Sequence, residues 1–281
     1  MQYQWLPAAT LPSFLRVGLF VAMSESSVLV PLSSLAKDEL AALLAPIRMI
    51  ATDVDGTLTK GRALHPEVVR VIAALTEAGT RVLPISGRPT GEVLGLCRYL
   101  PGVDHAISEN GLFEVVPDVA PRWLLPPTDR TALMAVGDRL NEEHGAGLVL
   151  TADHPFRMGD VAYEREGRDP QVLTKLRTQA AELGVCLVWS SVHIHLTPRK
   201  PDKGEGLLRF AADHELDPGT ILTIGDAPND EGLFVGGRFG VTVGTADVPA
   251  QRDAFDALPT YVTDEREADA FLQVAAALLD R

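Results

Sequence analysis

The chain has 281 residues, more than one average domain needs, and its 46% hydrophobic and 22% charged residues are typical of a folded globular protein. The formal net charge of −13 argues against a nucleic-acid surface, because phosphate backbones are bound by clustered Lys and Arg. We therefore expect no nucleic-acid partner, and a small anionic ligand would need local cations and backbone N–H groups.

The first 45 residues precede the regular part of the sequence. Residues 11–23 are apolar, but Arg16 interrupts them and they are too short to span a bilayer. The segment lacks the basic region and cleavage site of a signal peptide, so a docked or frayed extension is favoured over targeting.

Cys97 and Cys186 have no metal-ligand spacing and are interpreted as core thiols. We expect a cytoplasmic monomer or homodimer without a membrane partner.

From Pro46 onward, predicted strands and helices alternate. The predicted elements are a strand (47–54), a helix (65–79), a strand (81–86), a helix (87–100) and a strand (103–108). Alternation of this kind predicts an α/β fold with a parallel sheet between helices. Ligands of such sheets bind beyond the carboxyl ends of the strands.

The alternation stops after residue 112. Residues 113–197 combine four early prolines, two helical patterns and several short strands, which predicts an inserted α+β unit. The core pattern resumes at 198 with a helix, two strands and a last helix over 265–279. The predicted domains are an extension (1–45), a core (46–112 and 198–281) and a cap (113–197).

Carboxylates follow two of the predicted strands. Asp53 and Asp55 come directly after the first strand, and their i, i+2 spacing puts them on the same side of the chain. Asp226 and Asp230 lie in GDAPND, after a later strand. Acids that only cap a turn are the alternative, but they would not require a second acidic cluster at another strand end. Carboxylates from two loops are the hard oxygen ligands that Mg²⁺ prefers, so the sequence predicts a magnesium site.

Three further residues suit a bound phosphate. Ser86 and Gly87 in ISGRP offer a hydroxyl and a close backbone approach, and Lys203 in DKG offers a point charge. Taken singly, a Ser-Gly pair is more often a turn and a lysine more often a solvated charge. Their order and spacing relative to the acids favour a phosphate site.

These segments resemble, in order, the four motifs of the haloacid dehalogenase superfamily of phosphohydrolases. DVDGT (53–57) resembles the first motif, Ser86 in ISGRP the second, Lys203 in DKG the third and GDAPND (225–230) the fourth. The resemblance covers about residues 46–281 and implies a Rossmann-like core. The insert is similar to the type IIB (C2) cap of the branch that contains Cof-like, sucrose-phosphate, trehalose-phosphate and mannosyl-3-phosphoglycerate phosphatases.

The resemblance implies a Mg²⁺-dependent phosphatase that hydrolyses a small phosphate monoester through an aspartyl-phosphate. Asp53 is implied as the nucleophile and Asp55 as the acid–base group. The implied metal-binding residues are Asp53, Asp55 through its main-chain carbonyl, Asp226, and Asp230 as a ligand or a support. The implied phosphate-binding residues are Thr57, Ser86, Gly87, Arg88, Lys203 and Asn229.

Several side chains allow two interpretations. Arg88 either contacts the substrate or pairs with an acid. His193 and His195 share one face of a predicted strand, and a solvated face is favoured over one that meets the substrate. Arg199 and Lys200 are interpreted as exposed charges rather than as residues that attract the substrate. Trp123 and Trp189 are interpreted as part of the cap core rather than as platforms for a sugar.

Two rival functions are considered. The first is a phosphomutase, because phosphomannomutases share this cap class and have segments similar to DVDGTLT and ENGL. The ISGRP segment, however, is more similar to the hydrolases. A non-catalytic metabolite-binding protein would be expected to lack Asp53 or Asp55, and both are present. A phosphorylated sugar or similar small metabolite is the favoured substrate, and phosphoglycerate glycosides and flavin or pyridoxal phosphates stay open.

Overall fold

The computed structural model describes residues 29–190, 192–200 and 202–281. The helices in these ranges are α1 (Lys37–Leu44), α2 (Pro66–Glu77), α3 (Thr90–Tyr99), α4 (Arg130–His144), α5 (Pro170–Glu182), α6 (Lys203–Asp213), α7 (Glu231–Phe234) and α8 (Glu267–Leu279). The strands are β1 (Val30–Pro31), β2 (Met49–Thr52), β3 (Thr59–Lys60), β4 (Ala63–Leu64), β5 (Arg81–Pro84), β6 (Ala106–Ser108), β7 (Phe113–Val115), β8 (Arg122–Trp123), β9 (Val161–Glu164), β10 (Cys186–Trp189), β11 (His193–Thr197), β12 (Ile221–Gly225), β13 (Val241–Gly244) and β14 (Tyr261–Val262).

A six-stranded parallel sheet forms the centre of the molecule, in the order β1-β14-β13-β12-β2-β5. Ile50 of β2 packs against α1, α2, α3 and α8 on one face, and Met49 and Ala51 pack against α6 and α7 on the other. Burial on both faces explains why β2 reads as an unbroken hydrophobic run. The predicted α/β fold with a parallel sheet between helices is confirmed.

Two small sheets adjoin the carboxyl edge of the central sheet. β3 and β4 form a short antiparallel hairpin directly after the loop that carries Asp53 and Asp55. β6, β7 and β8 form a three-stranded antiparallel sheet, which meets the end of β5 through a parallel bridge between Ile85 and Ile107. The bridge brings the loop after β6 beside the SGRP loop.

The inserted α+β unit has a core of its own. Its antiparallel sheet has the order β10-β11-β9, and α4 and α5 contribute to the same hydrophobic cluster. Trp189 is fully buried in this cluster, as predicted for the cap core. The boundaries of the predicted domains stay predictions.

The predicted extension lies partly outside the described residues, which begin at residue 29. From Val30 onward the chain belongs to the core, because β1 pairs with β14 and α1 packs beside α8. Among the described residues, no helix combines the length and the apolar character that are needed to cross a membrane. Cys97 is buried, Cys186 is partly exposed, and both are free thiols.

Candidate active site

Four charged side chains meet where neighbouring strands end. Asp53 follows β2, and Asp226 follows β12, which is the neighbour of β2 in the sheet. Lys203 is the first residue of α6, whose N-cap is Asp202. Asp230 follows a few residues after Asp226. Asp53, Lys203, Asp226 and Asp230 are called the strand-end cluster below.

Lys203 lies at the centre of the strand-end cluster and is fully buried. Its Nζ donates to Asp53 Oδ1 at 2.5 Å and to Asp230 Oδ1 at 2.6 Å. The second oxygen of Asp230 accepts from the backbone N–H groups of Asp226 and Ala227, at 2.9 and 3.1 Å. Asp230 therefore positions both the lysine and the loop that carries Asp226. This arrangement favours the supporting role that the sequence left open for Asp230.

The strand-end cluster carries an excess of negative charge. Burial, together with the charge of Asp230, raises the pKa of Asp53 to about 7 although Lys203 opposes the shift. Burial and the neighbouring carboxylates raise the pKa of Asp226 well above its usual range. In the part of the chain that the structure describes, no Lys or Arg forms an ion pair with Asp226.

This set of donors fits a divalent cation. Carboxylate oxygens of Asp53, Asp226 and Asp230 lie within 4.8 Å of one another, and all three side chains are buried. Hard oxygen donors with uncompensated charge are the environment in which Mg²⁺ is held in proteins. A cation would balance the carboxylates that Lys203 alone leaves in excess.

Gly56 brings the first loop close to Asp226. Its φ is +85°, and a Cβ at this position would lie 2.4 Å from Asp226 Oδ2. Its N–H donates to Thr59 Oγ1 at 3.0 Å. Only glycine permits both this conformation and this approach, which explains the glycine of DVDGT.

Arg88 pairs with an acid, which was one of its two interpretations. Its Nε and Nη2 donate to Asp55 Oδ2 and Oδ1, at 2.7 and 2.8 Å. The ion pair is bidentate and largely buried, and Nη1 reaches Glu92 at 3.3 Å. The pair orients the Asp55 carboxylate toward Arg88, so acid–base chemistry at Asp55 requires that this pair open when a substrate binds.

Buried polar atoms without a protein partner surround the loops that were predicted to bind phosphate. Ser86 is buried, and its Oγ accepts from the N–H of Arg88 at 3.1 Å. Asn229 Nδ2 donates to Asn110 Oδ1 at 3.1 Å. Within the described residues, the buried atoms that lack a partner here are Thr57 Oγ1, Asn110 Nδ2, His195 Nε2 and Asn229 Oδ1. Such atoms indicate a place for a polar ligand or for water.

Sequence reasoning missed Asn110. It follows β6 in Glu109-Asn110-Gly111 and adopts a left-handed conformation with φ of 57°. The signal was available, because an Asn-Gly pair after a predicted strand indicates a turn at the edge where ligands bind. The parallel bridge between Ile85 and Ile107 then brings this turn beside Ser86.

The prediction that His193 and His195 line a solvated strand face is wrong. Their exposed fractions are 6% and 0%, because this face of β11 packs against the SGRP loop. A Cβ on Gly87 would lie 3.1 Å from the His195 ring. Burial lowers the pKa of His195 and lowers that of His193 to about 4, so both rings are neutral at pH 7.

The inserted unit reaches the core through a buried chain of charges, called the cap network: Asp153, Arg157, Asp160 and His195. Arg157 donates to Asp153 at 2.8 Å, to Asp160 at 2.9 Å and to the carbonyl oxygen of Gly87 at 2.8 Å. His195 Nδ1 lies 2.7 Å from Asp160 Oδ2. The sequence carried no periodic signal for this network, because its acids and Arg157 lie in irregular chain.

Glu109 provides a second link between core and insert. Its buried carboxylate accepts from three consecutive backbone N–H groups, those of Met158, Gly159 and Asp160, at 2.6–3.0 Å. Burial and the charge of Asp160 raise the pKa of Glu109 to about 6. The loop that holds Arg157 and Asp160 is therefore anchored next to Asn110.

The remaining cap and hinge residues lie away from the strand-end cluster. Arg199 is exposed, as predicted. Lys200 is about half exposed and pairs with Glu231 and Asp256, at 2.7 and 2.5 Å. Trp123 packs on Phe113 of β7, with ring centroids 4.0 Å apart. None of these contacts involves the strand-end cluster.

A cleft opens between the first loop and the inserted unit. One cavity of about 390 Å³ has a lining that includes Gly56, Arg165, Asp226, Asp247, Arg266 and Glu267. A second, of about 560 Å³, shares Gly56, Arg165 and Glu267 with the first. Arg165 follows β9, and sequence reasoning did not identify it. A lone arginine after a strand carries no signal that distinguishes it from a surface charge.

Three comparisons relate the chain to known proteins. A family model described as sucrose-6F-phosphate phosphohydrolase matches residues 161–277. A phosphoglycolate phosphatase of Haloarcula marismortui is 32% identical over 236 residues, which cover 82% of this chain and 97% of that protein. A phosphoglycolate phosphatase of Methanoculleus marisnigri is 27% identical over 230 residues, which cover 81% of this chain and 94% of that protein.

Solved structures share the fold at low sequence identity. A Thermoplasma acidophilum protein superposes with a TM-score of 0.68 at 21% identity, covering 83% of this chain and 98% of that one. The sucrose-phosphatase of Synechocystis, in complex with sucrose and phosphate, superposes with a TM-score of 0.63 at 17% identity, covering 82% and 97%. These likenesses concern the fold alone.

Proposed function

The chain belongs to the haloacid dehalogenase superfamily of phosphatases and is a phosphoric monoester hydrolase, and we propose that it acts with Mg²⁺ through an aspartyl-phosphate formed on Asp53. The observation that carries the proposal is the strand-end cluster. A buried carboxylate at a strand end, held by Lys203 beside further carboxylates, is suited to attack a phosphoryl group whose charge is neutralised locally.

In the first half of the reaction, a carboxylate oxygen of Asp53 attacks phosphorus and the bond from phosphorus to the ester oxygen breaks. Asp55 gives its proton to the departing ester oxygen, which leaves as an alcohol. In the second half, Asp55 accepts a proton from water, and the water oxygen attacks phosphorus. The bond to Asp53 then breaks and inorganic phosphate is released.

The chain's own residues would orient the phosphoryl oxygens. Lys203 lies against Asp53 and supplies positive charge. Thr57 has a buried hydroxyl without a protein partner and Ser86 is buried nearby, so both hydroxyls can donate to phosphoryl oxygens. Asn229 would donate through Nδ2, which in this structure bonds to Asn110 Oδ1. Mg²⁺, held by Asp53, Asp226 and the main-chain carbonyl of Asp55 with Asp230 in support, would supply further charge neutralisation.

The substrate is proposed to be a small phosphorylated metabolite. Two considerations point to different members of this class. The relatives with the stated identities are named phosphoglycolate phosphatases, whereas the family model is named for a sugar phosphate and the sequence favoured a phosphorylated sugar. A cleft of a few hundred cubic ångströms accommodates either.

The test is phosphate release from a panel that contains phosphoglycolate, sucrose 6-phosphate, trehalose 6-phosphate and mannose 6-phosphate, with Mg²⁺ and with EDTA. The variants are Asp53→Asn and, as a matched control, Asp138→Asn, an exposed acid on α4. We expect Mg²⁺-dependent release that falls at least about 10³-fold in Asp53→Asn and is unchanged in the control.

Release that is equal in Asp53→Asn would exclude an aspartyl-phosphate on that residue. Release in EDTA at the full rate would exclude the metal requirement. No release from any ester would contradict the proposed substrate class.

A further inference from the structure

Arg165 lines both cavities of the cleft. It follows β9, and its backbone N–H donates to the carbonyl oxygen of Val192, the residue before β11. The cavity of about 390 Å³ is also lined by Gly56 and Asp226. Asp226 lines this cavity and has a carboxylate oxygen within 4.8 Å of one of Asp53, so the cavity adjoins the proposed position of the phosphoryl group.

The guanidinium of Arg165 is held in place but has no carboxylate partner among the described residues. Nη1 donates to the carbonyl oxygen of Ser190 at 2.8 Å, and Nε is buried without a partner. By contrast, Arg88 and Arg157 form ion pairs at 2.7–2.9 Å, whereas Arg62, which also lines the second cavity, is a further cation of the cleft. A partly buried, unpaired guanidinium is unfavourable unless a ligand completes it.

The acids around the cleft already have other roles. Asp247 pairs with Arg266 at 3.1 Å, and the Glu267 carboxylate accepts from the N–H of Gly61 at 3.0 Å. Asp226 belongs to the strand-end cluster and faces the proposed cation. Arg266 also lines this cavity but is paired with Asp247, so Arg165 is the arginine of this lining that forms no ion pair among the described residues.

We propose that Arg165 forms a carboxylate-binding subsite, so that the preferred substrates are phosphate monoesters of small hydroxy acids. The inference rests on the proposed function, since it assumes that the phosphoryl group lies at Asp53. The planar guanidinium presents parallel N–H donors that match the two oxygens of a carboxylate. A phosphorylated neutral sugar would leave the guanidinium charge of Arg165 unpaired. An enzyme discriminates strongly against a substrate that lacks the polar group its site is built to bind.

The experiment compares kcat/KM for phosphoglycolate and for ethyl phosphate, which has a methyl group where phosphoglycolate has its carboxylate. The variants are Arg165→Gln and Arg165→Lys. The matched control is Arg139→Gln. Arg139 is an exposed arginine of the inserted unit and pairs with Glu143 on the same helix, α4. We expect Arg165→Gln to lower kcat/KM for phosphoglycolate about 10- to 100-fold and for ethyl phosphate less than about 3-fold.

Arg165→Lys should retain part of the preference, because it keeps the charge and loses the paired donors. Equal losses on both esters would overturn the inference and indicate a structural role for Arg165. A wild-type protein that does not prefer phosphoglycolate over ethyl phosphate would overturn it as well.

A binding measurement separates this inference from the proposed function. Thermal stabilisation of the wild-type protein by phosphoglycolate should exceed that by ethyl phosphate, and the difference should vanish in Arg165→Gln. If neither ester is hydrolysed but the difference is present, the reaction is wrong and the subsite stands. If both are hydrolysed and the difference is absent in the wild-type protein, the subsite is wrong and the reaction stands.

Discussion

The strand-end cluster and the cap network are both buried sets of charges, yet they are assembled differently. In the strand-end cluster, one lysine faces three carboxylates, which leaves negative charge that a bound cation would balance. In the cap network, Arg157 and a neutral histidine meet two carboxylates, and every carboxylate has a partner. The comparison indicates that the first set is built to bind and the second to hold two parts of the chain together.

The largest effect on activity is expected when Lys203, the positively charged side chain of the strand-end cluster, is replaced. Lys203→Met leaves Asp53 and Asp230 without their shared partner, so we expect kcat to fall about 10³-fold. The free energy of unfolding should fall by about 3 kcal/mol, since a buried pair is broken. The measurements are phosphate release and urea unfolding. Lys175→Met, on the exposed face of α5, is the control and should change neither quantity.

A smaller effect on activity is expected when the cap network is broken. Arg157→Met leaves Asp153 and Asp160 unpaired and removes the bond to the Gly87 carbonyl. The free energy of unfolding should fall by about 3 kcal/mol, whereas kcat/KM should fall only about tenfold. Arg139→Met, which breaks an exposed pair, should leave the free energy of unfolding unchanged. An activity loss as large as that of Lys203→Met would remove the distinction between the two sets.

The smallest expected effect is a pH dependence that only the strand-end cluster should show. The pKa of Asp53 is raised to about 7, so its protonated form stabilises the metal-free fold at low pH, and this contribution is lost as the pH rises through about 7. Under the proposed function, Mg²⁺ would take the place of this proton at higher pH. We expect saturating Mg²⁺ to raise the melting temperature by about 5 °C at pH 8 and by less at pH 6.

Differential scanning calorimetry at both pH values, with and without Mg²⁺, measures this effect. Asp226→Asn is the control variant, because it removes one carboxylate of the set and should abolish the response. A Mg²⁺ effect that is equal at both pH values, or larger at pH 6, would contradict the assignment of the raised pKa to this cluster.

The strand-end cluster was accessible from the sequence because each of its members follows a strand or begins a helix. Hydrophobic runs predicted β2 and β12, and the carboxyl ends of parallel neighbours lie at one edge of a sheet, so the sequence alone placed Asp53 and Asp226 together. Lys203 could be added because it is the lysine of DKG and the first residue of a predicted helix.

The cap network was not accessible in the same way. The alternation of His193 and His195 correctly predicted that they share a face of a strand, but alternation does not reveal what covers that face. Arg157, Asp160 and Arg165 lie in irregular chain, and their environment depends on how the insert packs on the core. Packing between distant segments leaves no periodic trace in a single sequence.

The strand order of the central sheet also bears on self-association. Strand β1 has two residues, ends in Pro31 and covers β14 at the edge of the sheet. Proline has no N–H to offer a neighbouring chain, and a very short edge strand gives little template for one. The chain thus uses its own early residues to block edge-to-edge aggregation, and a protein shortened beyond Pro31 would present β14 to strand addition by another copy.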